Sequence, residues 1–578
     1  MPGLHKKGRL SKAPLRRLES RLSLFYDSRM LRIISLVLWI VCASTITAGL
    51  PEPERHVVVV VWDGMRLDFV SEENTPALWK LAKEGVIFRN HHAVYPSATN
   101  VNGTAMVTGV YPSKNGIIAN HVYRPEIDSK HPVDVETPAV VEKGDELSDG
   151  KYISVPTIPE LVQKAGGRTL IASAKTVGLL LNRKFGVRRQ VGAFPRPDKM
   201  SPRGKRQHVT AVQNSVTLFA GKSLPSDALA PIVAALGPFP SAHLQQDAWT
   251  TKALIDVLWK DGLPAVSILW LGEPDLTEHE SALGAPAVLA AIKFADENLQ
   301  AVLSALDQSR VGGTHETTDV FVVSDHGFST IERSIDLRKI LSNAGFVAKT
   351  EFENKPKRGD IMLVGNGGSI LFYIEGHDAE VMRRLVEFLQ QTDFAGVIFT
   401  KESMPGTFVL DQAKIDPPEA ANAPDVVMAF RWNHSKNQFG VPGMIDADWQ
   451  RGVGKGTHVT LSRFDMHNTL IAAGPDFRRG WVDDLPTGNV DLAPTILRIL
   501  EIAPPQQLDG RILSEAMSNG DMPAMKPETK TIEATKDFPS GTWRQSLQIS
   551  RVGSTIYLDE GNGAFSPKQG TAVSKPPS

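Results

Sequence analysis

Cysteine is almost absent from the chain: a single residue, Cys42, in 578. It lies in the apolar run Ile33 to Ala43 of an expected cleaved leader, so the mature protein is expected to have neither a disulfide nor a thiolate metal site. An excess of charge of one sign is missing too. Lys and Arg total 63 against 64 Asp and Glu, and a net charge of −1 gives no pull toward nucleic acid or an anionic membrane surface. The Ile33 to Ala43 run is shorter than the roughly 20 apolar residues of a membrane-spanning helix. No internal repeat is visible.

What is present reads as an exported globular protein. Hydrophobic residues make up 42% of the chain, the proportion of a folded domain rather than a disordered one. Arg29 and Arg32, the apolar run, a small-residue stretch to Ala48 and Pro-Glu-Pro-Glu follow one another in the order of a signal peptide. Residues 1–48 are therefore expected to be a leader with an N-terminal extension. Translation is expected to start at Met30 and cleavage to follow Ala48, in a periplasmic or extracellular protein with no stable membrane anchor once cleaved. An uncleaved anchor is the alternative.

Beyond the leader, apolar β-branched runs alternate with helical patterns, which predicts an α/β fold with a mostly parallel central sheet. His56–Trp62, Thr169–Ala174, Ala265–Leu271 and Asp319–Val323 read as strands, with helices over 75–83, 159–165, 247–260, 287–306 and 490–500. Residues 181–245 carry a basic cluster from Lys184 to Arg206 and read as a solvated insertion. The character changes between 331 and 449, expected to be an inserted smaller α+β cap on a catalytic domain of residues 49–330 and 450–520. A C-terminal extension, 521–578, alternates over Trp543–Tyr557 and is expected to be disordered from Ser566.

Three of the strands run into Asp: Asp63-Gly64 after the first, Glu273-Pro274-Asp275 after the third, and Ser324-Asp325-His326 after the fourth. Ligands of open α/β sheets gather at such carboxyl ends. The stretch Tyr95 to Asn120 adds Thr99 just ahead of a small-residue helical pattern, where a hydroxyl meets unpaired N–H groups and the positive end of the helix dipole. Thr99 is there a helix cap or a nucleophile, with Ser97 as a rival. Asp63, Asp275, His279, Asp325, His326 and His458 form a carboxylate and imidazole set without sulfur, suited to zinc, with manganese or iron as substitutes.

In order along the chain, these residues resemble the alkaline phosphatase superfamily, in its nucleotide pyrophosphatase/phosphodiesterase branch. The resemblance rests on Trp62-Asp63-Gly64, on Tyr95-Pro96 through Thr99 to Asn102, and on Thr108-Gly109 through Gly116-Ile117 to Asn120. It continues in Pro274-Asp275 to His279, Ser324-Asp325-His326-Gly327 and Gly456-Thr457-His458, and ends in Ala472 to Phe477, Val490 to Thr495 and Leu508 to Arg511. It spans roughly residues 57–513. Two departures stand out: Glu278 precedes His279 where the family often has Gly, and Val459 to Ser462 replaces its usual Gly-Tyr-Asp-Asn, with His467 following as a second candidate ligand.

The resemblance implies an alkaline phosphatase-like fold with helices on both faces of the sheet. It implies one zinc held by Asp63, Asp325 and His326 beside Thr99, and a second held by Asp275, His279 and His458. Thr99 would form a phospho-threonine intermediate that water resolves, and Asn120, with the Thr99/Asn100 backbone N–H, would hold a phosphate oxygen. A neutral amide there suits the single charge of a diester. The expected substrate is a small-molecule phosphodiester or nucleotide pyrophosphate, with no nucleic-acid-binding surface evident. A phosphonoacetate-type phosphonate, a phosphomonoester and a non-catalytic binding protein are the alternatives. Phe430, Trp432, Phe439 and Trp449 of the cap are candidates to stack on a base or to be cap core.

Overall fold

A computed structural model describes residues 55–183, 215–308, 316–417, 423–520 and 526–568. The expected leader and the basic cluster Lys184 to Arg206 lie outside the described residues. The strand order is that of an α/β protein. Strands β1 (His56–Trp62), β2 (Val86–Phe88), β3 (Thr169–Ser173), β4 (Val216–Phe219), β5 (Lys222–Leu224), β6 (Val266–Leu271), β7 (Thr318–Val323), β8 (Leu470–Ala473) and β9 (Trp481–Asp483) make one sheet in the order β9-β2-β8-β7-β1-β6-β3-β4-β5. β1 pairs in parallel with both β7 and β6, and β6-β3-β4 continues in parallel. Only β8 and the edge strand β5 run the other way.

The run of valines in β1 serves two faces at once. Val58, Val60 and Trp62 pack with the helices α1 (Pro76–Glu84) and α3 (Pro286–Asp307), through Leu78, Leu81, Val288, Ile292 and Leu299. Val57, Val59 and Val61 face α2 (Thr99–Thr108) and α4 (Leu492–Ile499), through Met106, Val107, Leu492 and Ile496. A strand covered on both sides needs no polar alternation, which is why HVVVVVW folds this way. The two helices of the first layer are tied across the sequence by Asp296 of α3, whose carboxylate accepts from the N–H groups of Ala77 (2.8 Å) and Leu78 (2.9 Å) at the start of α1.

Two expectations are corrected. The segment read as a solvated insertion over 181–245 contains β4, β5 and the helix Leu229–Leu236, because VTLF finds a partner in the free edge of β3 and KSL folds back on VTLF. The C-terminal extension is ordered well beyond Tyr557. Glu528–Phe538, Gly541–Val552 and Thr555–Pro567 form a three-stranded antiparallel sheet that includes Ser566, the residue at which disorder was expected to begin.

That C-terminal sheet packs on a second, six-stranded sheet lying between 348 and 430. The Gln545 amide bridges the backbone N–H and carbonyl of Ile398, and the buried Trp543 indole donates to the Gly406 carbonyl at 2.9 Å. In the six-stranded sheet Ser369–Ile374 and Ala395–Thr400, joined by the helix Ala379–Leu389, flank Val426–Phe430. The expected boundary at 331 falls inside a strand, Ser329–Ile335, which pairs with Pro442–Asp448 on one side and Gly456–Thr457 on the other. Of the aromatic stacking candidates, Phe430 is fully buried in the core of this region, and the Trp432 indole donates to the Gly561 carbonyl at 2.7 Å. Trp449 lies under the Arg338 guanidinium, and Phe439 is exposed.

Candidate metal centre

The carboxyl ends of β1, β3, β6 and β7 lie side by side in the sheet, so residues far apart in sequence arrive at one place. Asp63 follows β1, Asp325 and His326 follow β7, and their ligand atoms converge within 4.8 Å of one another. Asp275 and His279 bracket a one-turn helix after β6 and meet His458, again within 4.8 Å. The His326 and His458 rings stack at 3.7 Å between centroids with 11° between planes, which places the two clusters next to each other.

Each histidine is fixed in the same way. His326 Nδ1 bonds to the Gly327 carbonyl (3.0 Å), His279 Nδ1 to that of Gly456 (3.2 Å) and His458 Nδ1 to that of Ser97 (2.7 Å). A carbonyl can only accept, so Nδ1 carries the hydrogen and the Nε2 lone pair is free to bind a cation. His326 Nε2 lies 3.5 Å from Asp63 and 3.2 Å from Asp325, while His279 and His458 Nε2 lie 3.3 and 3.6 Å from Asp275. Burial pushes all three imidazoles below their usual range, in His458 together with the neighbouring His326, and so favours the neutral, ligating form.

The carboxylates repeat the pattern. Asp63, Asp275 and Asp325 each keep one buried oxygen to which no group among the described residues donates a hydrogen bond. The other oxygens are oriented: the Trp270 indole donates to Asp63 at 2.8 Å, and the Gly64 N–H to Asp325 at 3.1 Å. Burial drives Asp63 well above the normal carboxylate range and Asp325 up to about 7. Asp275 goes the other way: burial opposes its charge, but Lys175 and His279 hold it well below that range. Three buried carboxylates this close stay ionised together only against positive charge. The bare oxygens, free Nε2 lone pairs and all-O/N donor set fit divalent ions of the zinc, manganese or iron type.

Lys175 supplies part of that charge, with Nζ 2.9 Å from both Asp63 and Asp275. Burial disfavours its ammonium, but Asp275, Asp63 and Asp325 more than offset this and hold its pKa well above the usual value. The sequence reading passed over Lys175, although it stands immediately beyond TLIASA and satisfies the same strand-end rule as the three aspartates. Trp270 was also missed. It reads as one more core residue of β6, and only the fold shows its indole N–H turned to Asp63.

Thr99 is the first residue of α2 and not its cap. Ala98 holds the cap position and no side chain makes the capping bond. The Thr99 hydroxyl instead lies 3.3 Å from His326 Nε2. The rival Ser97 donates its hydroxyl to the Thr460 carbonyl at 3.2 Å. Asn102 uses its amide to lock the approach to α2, donating to Val94 and Ala98 carbonyls and accepting from the Val94 N–H and the Asn489 amide. Gly103 lets α2 close on β6, since a Cβ there would come within 3.1 Å of the Trp270 ring.

Asn120 stands beside this helix start in a way that modifies one expectation. Its Oδ1 accepts from the Asn100 N–H at 2.9 Å. That backbone donor is therefore engaged by Asn120 and not free for a phosphate oxygen, while the Asn120 NH₂ remains as the donor. His467 does not join the second cluster; it stands with His92 and Asp559 in a separate group.

Comparison with known proteins gives the family. The profile of the type I phosphodiesterase / nucleotide pyrophosphatase family matches residues 57–442. The venom phosphodiesterase of Naja atra is 22% identical over 297 residues, 50% of this chain and 28% of that protein. The bis(5'-adenosyl)-triphosphatase of Mus musculus is 33% identical over 76 residues, 13% of this chain and 16% of the relative. The chain thus spans less than a third of the length of these curated relatives. Among solved structures, the murine ectonucleotide pyrophosphatase / phosphodiesterase 5, an inactive variant in complex with AMP, superposes with a TM-score of 0.53 at 18% identity, covering 80% of this chain and 100% of that one, a likeness of fold. With two thirds of its length under that family profile, the chain belongs to the type I phosphodiesterase / nucleotide pyrophosphatase family.

Proposed function

We propose that the protein is an exported, metal-dependent phosphodiesterase that hydrolyses phosphodiester or pyrophosphate bonds of small molecules, nucleotides included, with Thr99 as nucleophile. The observation that carries this reading is the uncapped Thr99 hydroxyl, at the start of a ten-residue helix and 3.3 Å from a ligand-ready histidine, with two Asp/His clusters alongside. Asp63, Asp325 and His326 would hold one ion and Asp275, His279 and His458 the other. Ions bound there supply Lewis-acid polarisation of a phosphoryl group and lower the pKa of an adjacent hydroxyl.

The chain's own groups do the rest. The free N–H groups and dipole at the start of α2 favour the phosphate anion, and the Asn120 NH₂ donates to a non-bridging oxygen. Thr99 Oγ attacks phosphorus as its proton passes to solvent water. The bond to the leaving oxygen breaks opposite, giving a phospho-threonine from which water then displaces the Thr99 oxygen. The Trp270 indole and the backbone carbonyls at Gly327, Gly456 and Ser97 keep the ligating side chains in place between these steps. Export is supported by the leader-like start of the sequence, and among the described residues no helix is long and apolar enough to cross a membrane.

Lys175 favours a second reading, in which the same centre takes a dianionic phosphomonoester or a phosphonate, since a buried ammonium beside both clusters welcomes the extra charge. Hydrolysis of bis-p-nitrophenyl phosphate against p-nitrophenyl phosphate and phosphonoacetate, with and without chelator, separates the two. Faster metal-dependent diester turnover, lost in Thr99→Ala, is expected. Comparable or faster monoester or phosphonoacetate turnover overturns the diesterase reading, and no turnover of any of them overturns the catalytic one.

A further inference from the structure

A third group of side chains repeats the signature of the two clusters, away from them and in no role so far. His92 follows β2, His467 precedes β8, and Asp559 lies on the C-terminal strand Thr555–Pro567. His92 Nδ1 bonds to the Thr487 carbonyl at 2.8 Å, so the hydrogen sits on Nδ1 and the Nε2 lone pair points away from it. That Nε2 lies 2.8 Å from Asp559 Oδ1, and His467 completes a set whose ligand atoms fall within 4.8 Å. His92 Nε2, His467 Nε2 and Asp559 Oδ1 are all buried with no hydrogen-bond partner among the described residues. The outer contacts are built as well: Ser550 Oγ donates to Asp559 Oδ2 at 2.8 Å, and the His467 ring bonds to the Asp559 backbone carbonyl.

With its hydrogen on Nδ1, His92 turns the Nε2 lone pair toward Asp559 Oδ1 at that distance, which calls for a cation shared by the two. A proton on His92 would serve one contact and leave His467 Nε2 bare; a metal ion serves all three. We propose that His92, His467 and Asp559 bind a divalent metal of the zinc type, with water in the fourth position, and that this ion staples the C-terminal sheet to the main sheet. His92 and His467 are themselves held together by an antiparallel backbone bridge and by rings 4.4 Å apart. Asp559 is then the ligand that brings the last strand to a preformed pair. The donor set, two imidazoles and one carboxylate, suits zinc or cobalt over magnesium or calcium.

The test is metal content by mass spectrometry on the full chain, purified and dialysed in excess zinc and then freed of loosely bound ion. Asp559→Asn and His467→Gln are each compared with the parent. Both are expected to lose one equivalent of zinc per chain relative to the parent and to keep diester turnover within about twofold, since neither side chain belongs to a strand-end cluster. His467→Cys, which exchanges one zinc ligand for another, is expected to retain the equivalent. Unchanged zinc content in Asp559→Asn and His467→Gln overturns the proposal in favour of a His92–Asp559 ion pair. Should a variant fail to fold, cobalt titrated into zinc-free protein decides: a His279→Ala/Asp325→Ala double variant, with both strand-end clusters broken, must still bind one equivalent, and no binding refutes the proposal. The difference from the parent is read separately from turnover, so failure here and failure of the diesterase reading are distinguishable.

Discussion

The two ends of the main sheet carry the same residue type and solve its burial differently. At the carboxyl end Asp63, Asp275 and Asp325 crowd together with free lone pairs around them, balanced within the chain by Lys175. At the amino end Asp319, on the second residue of β7, meets Asp476 beyond the end of β8, and Arg55 pairs with Asp476. Asp319 accepts the Asp476 N–H at 3.1 Å, and its burial is relieved by a proton rather than a cation. One end sets imidazoles among its carboxylates; the other sets an arginine beside them. Carboxylates count as a functional site where their lone pairs converge with those of imidazoles, not merely where they are buried.

The largest expected effect falls on Thr99. Thr99→Ala should lower kcat for the diester by about 10³-fold or more, as loss of a nucleophile does. Because the hydroxyl makes no capping bond, the melting temperature should stay within about 2 °C of the parent; a collapse in stability instead would mean a structural Thr99. Removing metal should affect both properties together. Dialysis against a chelator near pH 7.5 should abolish turnover and also lower the melting temperature, since the three aspartates lose their counter-charge and the folded state loses a ligand it alone binds. A chelator that stops turnover without moving the unfolding transition would contradict the strand-end carboxylates as metal ligands.

Asn120→Ala comes next. Loss of one donor to the developing charge should cost about 10²-fold in kcat, measured with the same diester. If the monoester is affected equally, the amide does not select the diester. Trp270→Phe removes the indole N–H from Asp63 and keeps most of the ring against Gly103. It should lower activity or metal affinity by roughly tenfold, the usual scale for a residue that orients a ligand. Addition of excess zinc should recover part of that loss, which a purely packing role for Trp270 would not allow.

The carboxyl end was far more legible in the sequence than the rest. Asp63, Asp275 and Asp325 could be found because each stands just beyond an apolar run, and the doubly buried valines of β1 mark a parallel strand. Lys175 obeyed the same rule and was passed over because basic residues are ordinary at such positions. The role of Asn102 and the commitment of the Asn100 N–H to Asn120 depend on loop geometry that no spacing encodes. β4 and β5 were hidden because strands of four and three residues leave too little pattern, and the pairing of β4 with β3 and of β5 with β4 decides them. Asp559 was unreadable for a stronger reason: its partners His92 and His467 lie far off in the sequence, and nothing local marks Asp559 itself.

The smallest effect tests the amino end. Burial, with the Asp476 carboxylate adding to it, pushes Asp319 up to about 8, above the roughly 4 of an unfolded aspartate. Between those values the folded state holds a proton that the unfolded state has released, so this group's contribution to stability is full at about pH 4 and is lost as pH rises through 8. Asp319→Asn keeps an oxygen for the Asp476 N–H and can offer an N–H to the Asp476 carboxylate without titrating. Thermal melts should therefore show the variant matching the parent near pH 4.5 and exceeding it at pH 8.5 by on the order of 1 kcal/mol, with turnover unchanged at either pH. A variant less stable than the parent at pH 8.5 would mean that Asp319 is already ionised in the fold well below pH 8. The two ends of the sheet would then differ in their partners but not in their charge.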